Sequence, residues 1–322
     1  MHDVIHHGLY TLAAAQAQRG SGSTALSLWQ VVALALLQGV AELFPISSLG
    51  HTVVAPRLLG WTVDQRADAF LPFVVALHLG TGVALLLYFR RDWAAIVGPM
   101  LGSVRRGALS DDPHERLGWL LALGTLPAAV LGVFFEKRVR DLFADPRIAA
   151  GFLIVNGVIL FVGERLRVRA TRAAARASGE TVSLSAASRP APRPLATLGW
   201  GEAFLVGAAQ ALALLPGISR SGVTMVAGLG TGLSHEAAAR FSFLLATPVI
   251  LAAAVVEIPT LFGASGRSLL GAAVLGGVLA GLAAYASVRF LMRYFQVGRL
   301  DPFAYYCWVA GGLALLILTA RG

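Results

Sequence analysis

The sequence predicts an all-α polytopic membrane protein, an inverted-topology repeat with six transmembrane helices and two re-entrant helical hairpins. Three observations predict it. First, 57% of the 322 residues are hydrophobic and 13% are charged. Soluble domains carry about 25% charged residues, so this chain has too few polar groups to cover a surface facing water. Second, six apolar segments approach the roughly 20 residues that a helix needs to cross a bilayer. Third, two further apolar segments are broken in the middle and resemble each other.

Residues 1–25 read as a flexible tail. The stretch from Met1 to Ala25 lacks the basic start of a signal peptide, and its apolar run around Leu9 to Ala15 is short. His2, His6 and His7 read as part of that tail rather than as a metal site. The first half then occupies 26–163, with a hairpin over 26–59 and spans near 70–89, 115–135 and 148–163. Residues 164–199 form an Arg-rich cytoplasmic linker, flexible from Thr171 to Pro194, where Ala, Ser, Arg and Pro dominate. The second half occupies 200–322, with a hairpin over 200–233 and spans near 236–258, 268–290 and 302–320. No separate soluble domain is expected.

The first broken segment is interrupted at Phe44-Pro45-Ile46-Ser47-Ser48, the second at Pro216-Gly217-Ile218-Ser219-Arg220-Ser221-Gly222. Neither arm of either segment is long enough to span comfortably. Irregular backbone at membrane depth is tolerated where it lines a protein cavity. The segment Gln38-Gly-Val-Ala-Glu-Leu-Phe-Pro-Ile-Ser-Ser-Leu-Gly aligns with Gln210-Ala-Leu-Ala-Leu-Leu-Pro-Gly-Ile-Ser-Arg-Ser-Gly, an offset of 172 residues from Gln38 to Gln210. Downstream, Phe70 pairs with Phe241 at an offset of 171. The chain therefore reads as duplicated.

Orientation follows from the loops. Arg90, Arg91, Arg105, Arg106 and Arg116 fall in one loop, Arg165 through Arg193 in the linker, and Arg293 and Arg299 in a third. All three lie on one side of a six-span chain. Opposite them, the basic residues of 136–147 are offset by Glu136, Asp141 and Asp145, and the loop at 259–267 is nearly uncharged. The positive-inside rule places the Arg-rich side in the cytoplasm and both termini outside. Each hairpin then enters from a different face, and such matched broken segments mark a site near the midplane. The six tryptophans, Trp308 among them, are expected near helix ends as interfacial anchors. The net charge of +9 thus belongs to membrane topology, and no nucleic-acid partner is expected. Cys307 is the only cysteine, which excludes an intrachain disulfide.

Three features carry chemistry. Glu42 lies in the last turn of an apolar helix, where a charge costs on the order of 3 kcal/mol and the helix dipole disfavours an anion. Gln38, four residues earlier, shares its face. Ser47 can cap the helix after Pro45. With Ser48 and His51 beside Glu42, one break gathers hydroxyl, imidazole and carboxylate, the parts of an activated nucleophile or an acid–base pair. At the other break, Ser219 can cap a helix whose first turn holds Arg220, Ser221 and Gly222, with Thr224 close by. Free N–H groups at a helix start bind phosphate, and Arg adds a planar bidentate partner. A bland alternative pairs Arg220 with Glu42 structurally. The spacing suits a phosphoryl group on a lipid but does not by itself establish hydrolysis.

The segment from Gln38 to His51 resembles the first signature of the undecaprenyl-diphosphatase family, the bacitracin-resistance proteins. Pro216 to Thr224 resembles the second, and Arg289-Phe-Leu-Met-Arg-Tyr-Phe and Asp301-Pro-Phe-Ala-Tyr-Tyr resemble the C-terminal region. The likeness covers about residues 28 to 318. It implies a multi-pass enzyme of the bacterial inner membrane, with its site open to the outer side. The implied reaction converts undecaprenyl diphosphate, a polyprenyl diphosphate lipid, to undecaprenyl phosphate and so recycles the carrier for peptidoglycan synthesis. A divalent cation, Mg2+ or Ca2+, is implied as cofactor, with Glu42 and Gln38 toward the metal. Ser47, Ser219, Arg220, Ser221 and Thr224 are expected on the phosphate. Ser48 is the candidate nucleophile and His51 the acid or base, and the reverse assignment stays open. Leu49 departs from the family, where Thr is common. The rival reading is a polyprenyl-phosphate transporter or flippase, since broken helices at the midplane also suit transport. Gly276, Gly277 and Gly281 permit close helix packing, within one chain or in a homodimer.

Overall fold

The computed structural model describes residues 26–61, 70–142, 145–177, 193, 195–263 and 267–321. The expected tail over 1–25 and linker residues 178–192 lie outside the described residues. Those described form eleven α-helices and no strand. In chain order they are α1 Leu28–Ala41, α2 Ser48–Leu58, α3 Phe70–Tyr88, α4 Arg90–Arg106, α5 Pro113–Leu142, α6 Pro146–Ala177, α7 Trp200–Ala209, α8 Arg220–Gly230, α9 His235–Glu257, α10 Arg267–Tyr294 and α11 Asp301–Ala320.

Among the described residues, five helices are long and apolar enough to cross a membrane: α3, α6, α9 with its 3-10 extension to Phe262, α10 and α11. The sixth expected span, 115–135, falls inside the 30-residue α5, some of whose side chains lie outside the described residues. Apolar residues also cover the outside of the bundle: Val83, Leu87, Val278, Leu282, Val309 and Leu316 all face outward. A water-soluble bundle would place polar residues there.

The structure departs from expectation in three places. Residues 90–106, expected as part of a loop, form α4, which ends on Gly107 in the left-handed conformation at φ 64°. Arg105 and Arg106 occupy its last turn, where cations favour the dipole. The arginines at both ends disguised a short amphipathic helix. It buries only Ile96 and Ser103, and Trp119 of α5 donates to Ser103 Oγ at 2.8 Å. Second, α6 continues through Ala177, so the segment expected as linker from 164 begins as helix; its Ala and Arg are strong helix formers. Third, Trp308 is not at a helix end. It lies inside α11, with its ring 5.2 Å from Phe161 of α6.

The two broken segments share local chemistry. Ser27 N donates to Gln30 Oε1 at 2.9 Å at the start of α1. That helix stops before Pro45, and Ser47 reverses the chain at φ 69°, a conformation costing a non-glycine residue about 1–3 kcal/mol. Ser47 Oγ then accepts from Gly50 N at 3.2 Å to cap α2. In the second segment, Ser219 Oγ accepts from Gly222 N at 3.2 Å to cap α8. The two caps lie one repeat offset apart. At 14 and 11 residues, α1 and α2 fall short of a bilayer crossing.

Helix packing brings the breaks together. α1 lies against α10 as α7 lies against α5, and α6 pairs with α11. Gly277 and Gly281 of α10 use their small size against Ala76 and Gly80 of α3 in the same chain. The breaks themselves touch at Gly50 and Gly217: a Cβ on Gly50 would lie 2.9 Å from the Gly217 Cα.

Candidate active site

Glu42 is the hub. It follows the last residue of α1, and its carboxylate has four partners. Oε2 accepts from Ser48 Oγ at 2.5 Å and from Gln38 Nε2 at 3.1 Å, and lies 3.2 Å from His78 Nε2. Oε1 accepts from Arg220 Nη2 at 2.8 Å. Ser48 and Arg220 are the first residues of α2 and α8, and the 172-residue offset pairs them. The Arg220–Glu42 pair named as the bland alternative is therefore present, and the same carboxylate also takes the Ser48 hydroxyl.

His78 was not anticipated. It lies on α3, and its Nδ1 is 2.9 Å from Val74 O, so both ring nitrogens face oxygen acceptors. An ionisable residue within an apolar span was the available signal, the one that singled out Glu42.

Asn156 of α6 was also missed, and it ties the two breaks together. Its Nδ2 donates to Pro45 O at 3.0 Å and approaches Cys307 Sγ at 3.3 Å. Its Oδ1 accepts from Ser219 N at 2.9 Å. Ser221 Oγ donates to Phe44 O at 3.2 Å, across the same junction. Thr224 Oγ1 lies 2.8 Å from Arg220 O and 2.6 Å from Ser242 Oγ. The hydroxyls of Ser47, Ser219, Ser221 and Thr224 thus hold the breaks in shape, and Arg220 reaches the hub.

His51 stands apart. Its Nδ1 is 2.6 Å from Ser47 O, and its Nε2 is 2.8 Å from Tyr306 OH. The carbonyl fixes the proton on Nδ1, so Nε2 accepts from the phenol. Among the described residues, His51 has no hydrogen bond to Ser48 or Glu42. Leu49, the departure from the family pattern, packs against an apolar cluster that includes Val31 and Phe73.

For a divalent cation the donors fit one mode of binding. Among the described residues, no three His, Cys, Asp or Glu side chains gather as a metal-holding group. Gln38 Oε1, however, is buried and has no hydrogen-bond partner among them, next to the Glu42 carboxylate. Hard cations take oxygen ligands, and Mg2+ is often shared between one or two carboxylates and substrate phosphates.

Fold and site together define a polytopic membrane protein with a buried acid–hydroxyl–guanidinium centre between two broken helices. The chain belongs to the family described as Bacitracin resistance protein BacA, which it matches over residues 31–313. It is 49% identical over 291 residues to undecaprenyl-diphosphatase 2 of Burkholderia lata, covering 90% of this chain and 96% of that one. It is 46% identical over 302 residues to undecaprenyl-diphosphatase of Mycolicibacterium paratuberculosis, covering 92% and 99%.

Proposed function

We propose that this chain, whose relatives are named undecaprenyl-diphosphatase, hydrolyses undecaprenyl diphosphate to undecaprenyl phosphate and inorganic phosphate, and so contributes to bacitracin resistance. The observation that carries the reading is the Glu42 carboxylate, shared by Ser48 of one break and Arg220 of the other. A phosphatase needs a nucleophile beside a base and a cation for the transferred phosphoryl group. The transport alternative draws no support from these relatives.

The substrate's terminal phosphate competes with Glu42 for Arg220, whose planar fork suits two phosphate oxygens. Release of Oε1 leaves Glu42 as base for Ser48. Ser48 Oγ attacks the terminal phosphorus, the bond to the lipid monophosphate breaks, and the Ser48 proton passes to Glu42. Water then cleaves the Ser48–phosphate bond, and the proton on Glu42 returns to the serine oxygen. Ser48 is preferred to His51 as nucleophile because both His51 ring nitrogens are engaged elsewhere. A bound Mg2+ or Ca2+ would neutralise charge on the diphosphate, with Glu42 and Gln38 holding it.

The same reading makes the protein an inverted repeat of six spans with two re-entrant hairpins, α1–α2 and α7–α8. The matched caps at Ser47 and Ser219 support it, as does the matched packing of α1 on α10 and α7 on α5. The Arg-rich side faces the cytoplasm, and the site opens outward. Division at a central linker stays part of this proposal.

The test is product analysis with purified protein in detergent. Equal amounts of orthophosphate and undecaprenyl phosphate are expected. A well-folded protein that leaves the diphosphate intact would overturn the reading.

A further inference from the structure

Two or so helical turns along α6 from Asn156 lies a second buried ionic cluster that the proposed reaction does not use. Glu164 is the eighth residue beyond Asn156 on α6, which at a rise of about 1.5 Å per residue puts it roughly 12 Å further along the helix. On α9, His235 precedes Ser242 by seven residues, and on α11, Asp301 precedes Cys307 by six. Three helices thus agree that the cluster sits at the Arg-rich end of the bundle.

Glu164 is 0% exposed, His235 5% and Arg167 7%. His235 Nε2 lies 2.7 Å from Glu164 Oε2. Arg299 Nε is 3.3 Å from Glu164 Oε1 and 3.0 Å from Asp301 Oδ2, but its N–H aims at neither oxygen well enough for a hydrogen bond. Arg165 approaches Asp301 at 3.6 Å. Arg167, three residues beyond Glu164 on the same face of α6, brings a third guanidinium to these two carboxylates, before any proton on His235 is counted. Among the described residues, the buried Arg167 Nη1 and Arg299 Nη2 have no hydrogen-bond partner, and neither have the Glu164 Oε1 and Asp301 Oδ1 acceptors beside them. Leaving a buried charged donor unmade is costly. The Arg299 side chain is 33% exposed, which gives the cluster one partly open side, whereas Arg167 is enclosed.

We infer that Arg167 and Arg299, braced by Glu164, form a second anion site that takes a phosphate group at the Arg-rich end of the bundle. Excess positive charge, unfilled planar donors and partial access are the features by which arginine recognises phosphate. That chemistry is shared by free orthophosphate and by the headgroup of an anionic phospholipid, both present at a membrane surface.

The test uses the full chain carrying Arg220→Ala, which blunts phosphate binding at the hub. Thermal unfolding in detergent is followed at constant ionic strength with orthophosphate, with short-chain phosphatidylglycerol, and with short-chain phosphatidylcholine as the neutral control. A saturable rise in Tm with orthophosphate identifies a free-anion site. A rise with phosphatidylglycerol alone identifies a lipid site. In either case, adding Arg167→Gln should weaken binding at least about tenfold, the loss of one charge-assisted hydrogen bond, and Arg167→Lys should weaken it less. If neither anion raises Tm in the Arg220→Ala protein, or if Arg167→Gln leaves the rise unchanged, the site does not exist. Since the diphosphatase hub is disabled throughout, failure here is distinct from failure of the phosphatase reading.

Discussion

Glu42 and Arg220, 178 residues apart in the chain, meet at 2.8 Å between the two helix breaks. The pair is closed, and the proposed reaction requires it to open. Arg220→Ala should therefore lower kcat by about 10³-fold or more, the scale seen when an arginine that stabilises a transferring phosphoryl group is lost. Arg220→Lys should recover little, because an ammonium lacks the planar fork. Steady-state phosphate release from a polyprenyl diphosphate checks both.

The separation of His51 from Ser48 makes the nucleophile testable. Brief reaction with substrate labelled at the terminal phosphate, quenched in acid or in alkali, should leave label on serine, and Ser48→Ala should abolish it. Label stable only in alkali, on histidine, would reverse the assignment. Because Tyr306 OH engages His51 Nε2 at 2.8 Å, Tyr306→Phe should lower kcat modestly without removing the serine label.

Gly50 sets the distance between the hairpins. In Gly50→Ala, a Cβ would meet Gly217 backbone at 2.9 Å, and backbone cannot swing aside as a side chain can. Overpacking of this kind costs about 1–3 kcal/mol. The expected outcome is a lower Tm by thermal unfolding in detergent, with a fall in kcat beyond what the unfolded fraction explains.

His78 positions Glu42 from α3. His78→Ala removes one of four partners of the carboxylate while leaving Ser48 and Arg220 in place. An approximately tenfold fall in kcat with unchanged KM is expected, the cost of one charge-assisted hydrogen bond. A rise in KM alone would place His78 on the substrate instead.

Much of this site was legible in the sequence. Glu42 and Arg220 are charges within apolar segments, and lipid makes every such residue conspicuous. Gln38 and Ser48 followed from helix spacing and from the break at Pro45. The caps at Ser47 and Ser219 were legible because a serine at a helix start has few other uses. Asn156 and Tyr306 were not found, since each reaches the breaks from a separate helix and only tertiary packing supplies the approach, whereas His78 carried the same signal as Glu42 and was passed over. The hydroxyls of Ser221 and Thr224 were placed on phosphate from local sequence, yet they bond to backbone and to Ser242, a partner no local pattern reveals. Helix α4 was hidden because its terminal arginines read as a cytoplasmic loop, although an interfacial helix has the same composition.

Removal of divalent cations with EDTA should stop turnover, and Mg2+ or Ca2+ should restore it. Gln38→Ala should raise the cation concentration needed for half-maximal rate, since it removes the unpartnered amide oxygen beside Glu42. Full activity in EDTA would exclude a catalytic cation.

The most direct test of the central claim, that two distant helix breaks form one phosphatase centre, is phosphate release by wild type, Glu42→Ala, Arg220→Ala and the double variant under identical conditions. Each single variant should lose nearly all turnover, and the double variant should be scarcely worse than either, as expected of residues acting as a unit. Substantial turnover in either single variant, or strictly multiplicative losses in the double variant, would contradict a shared centre.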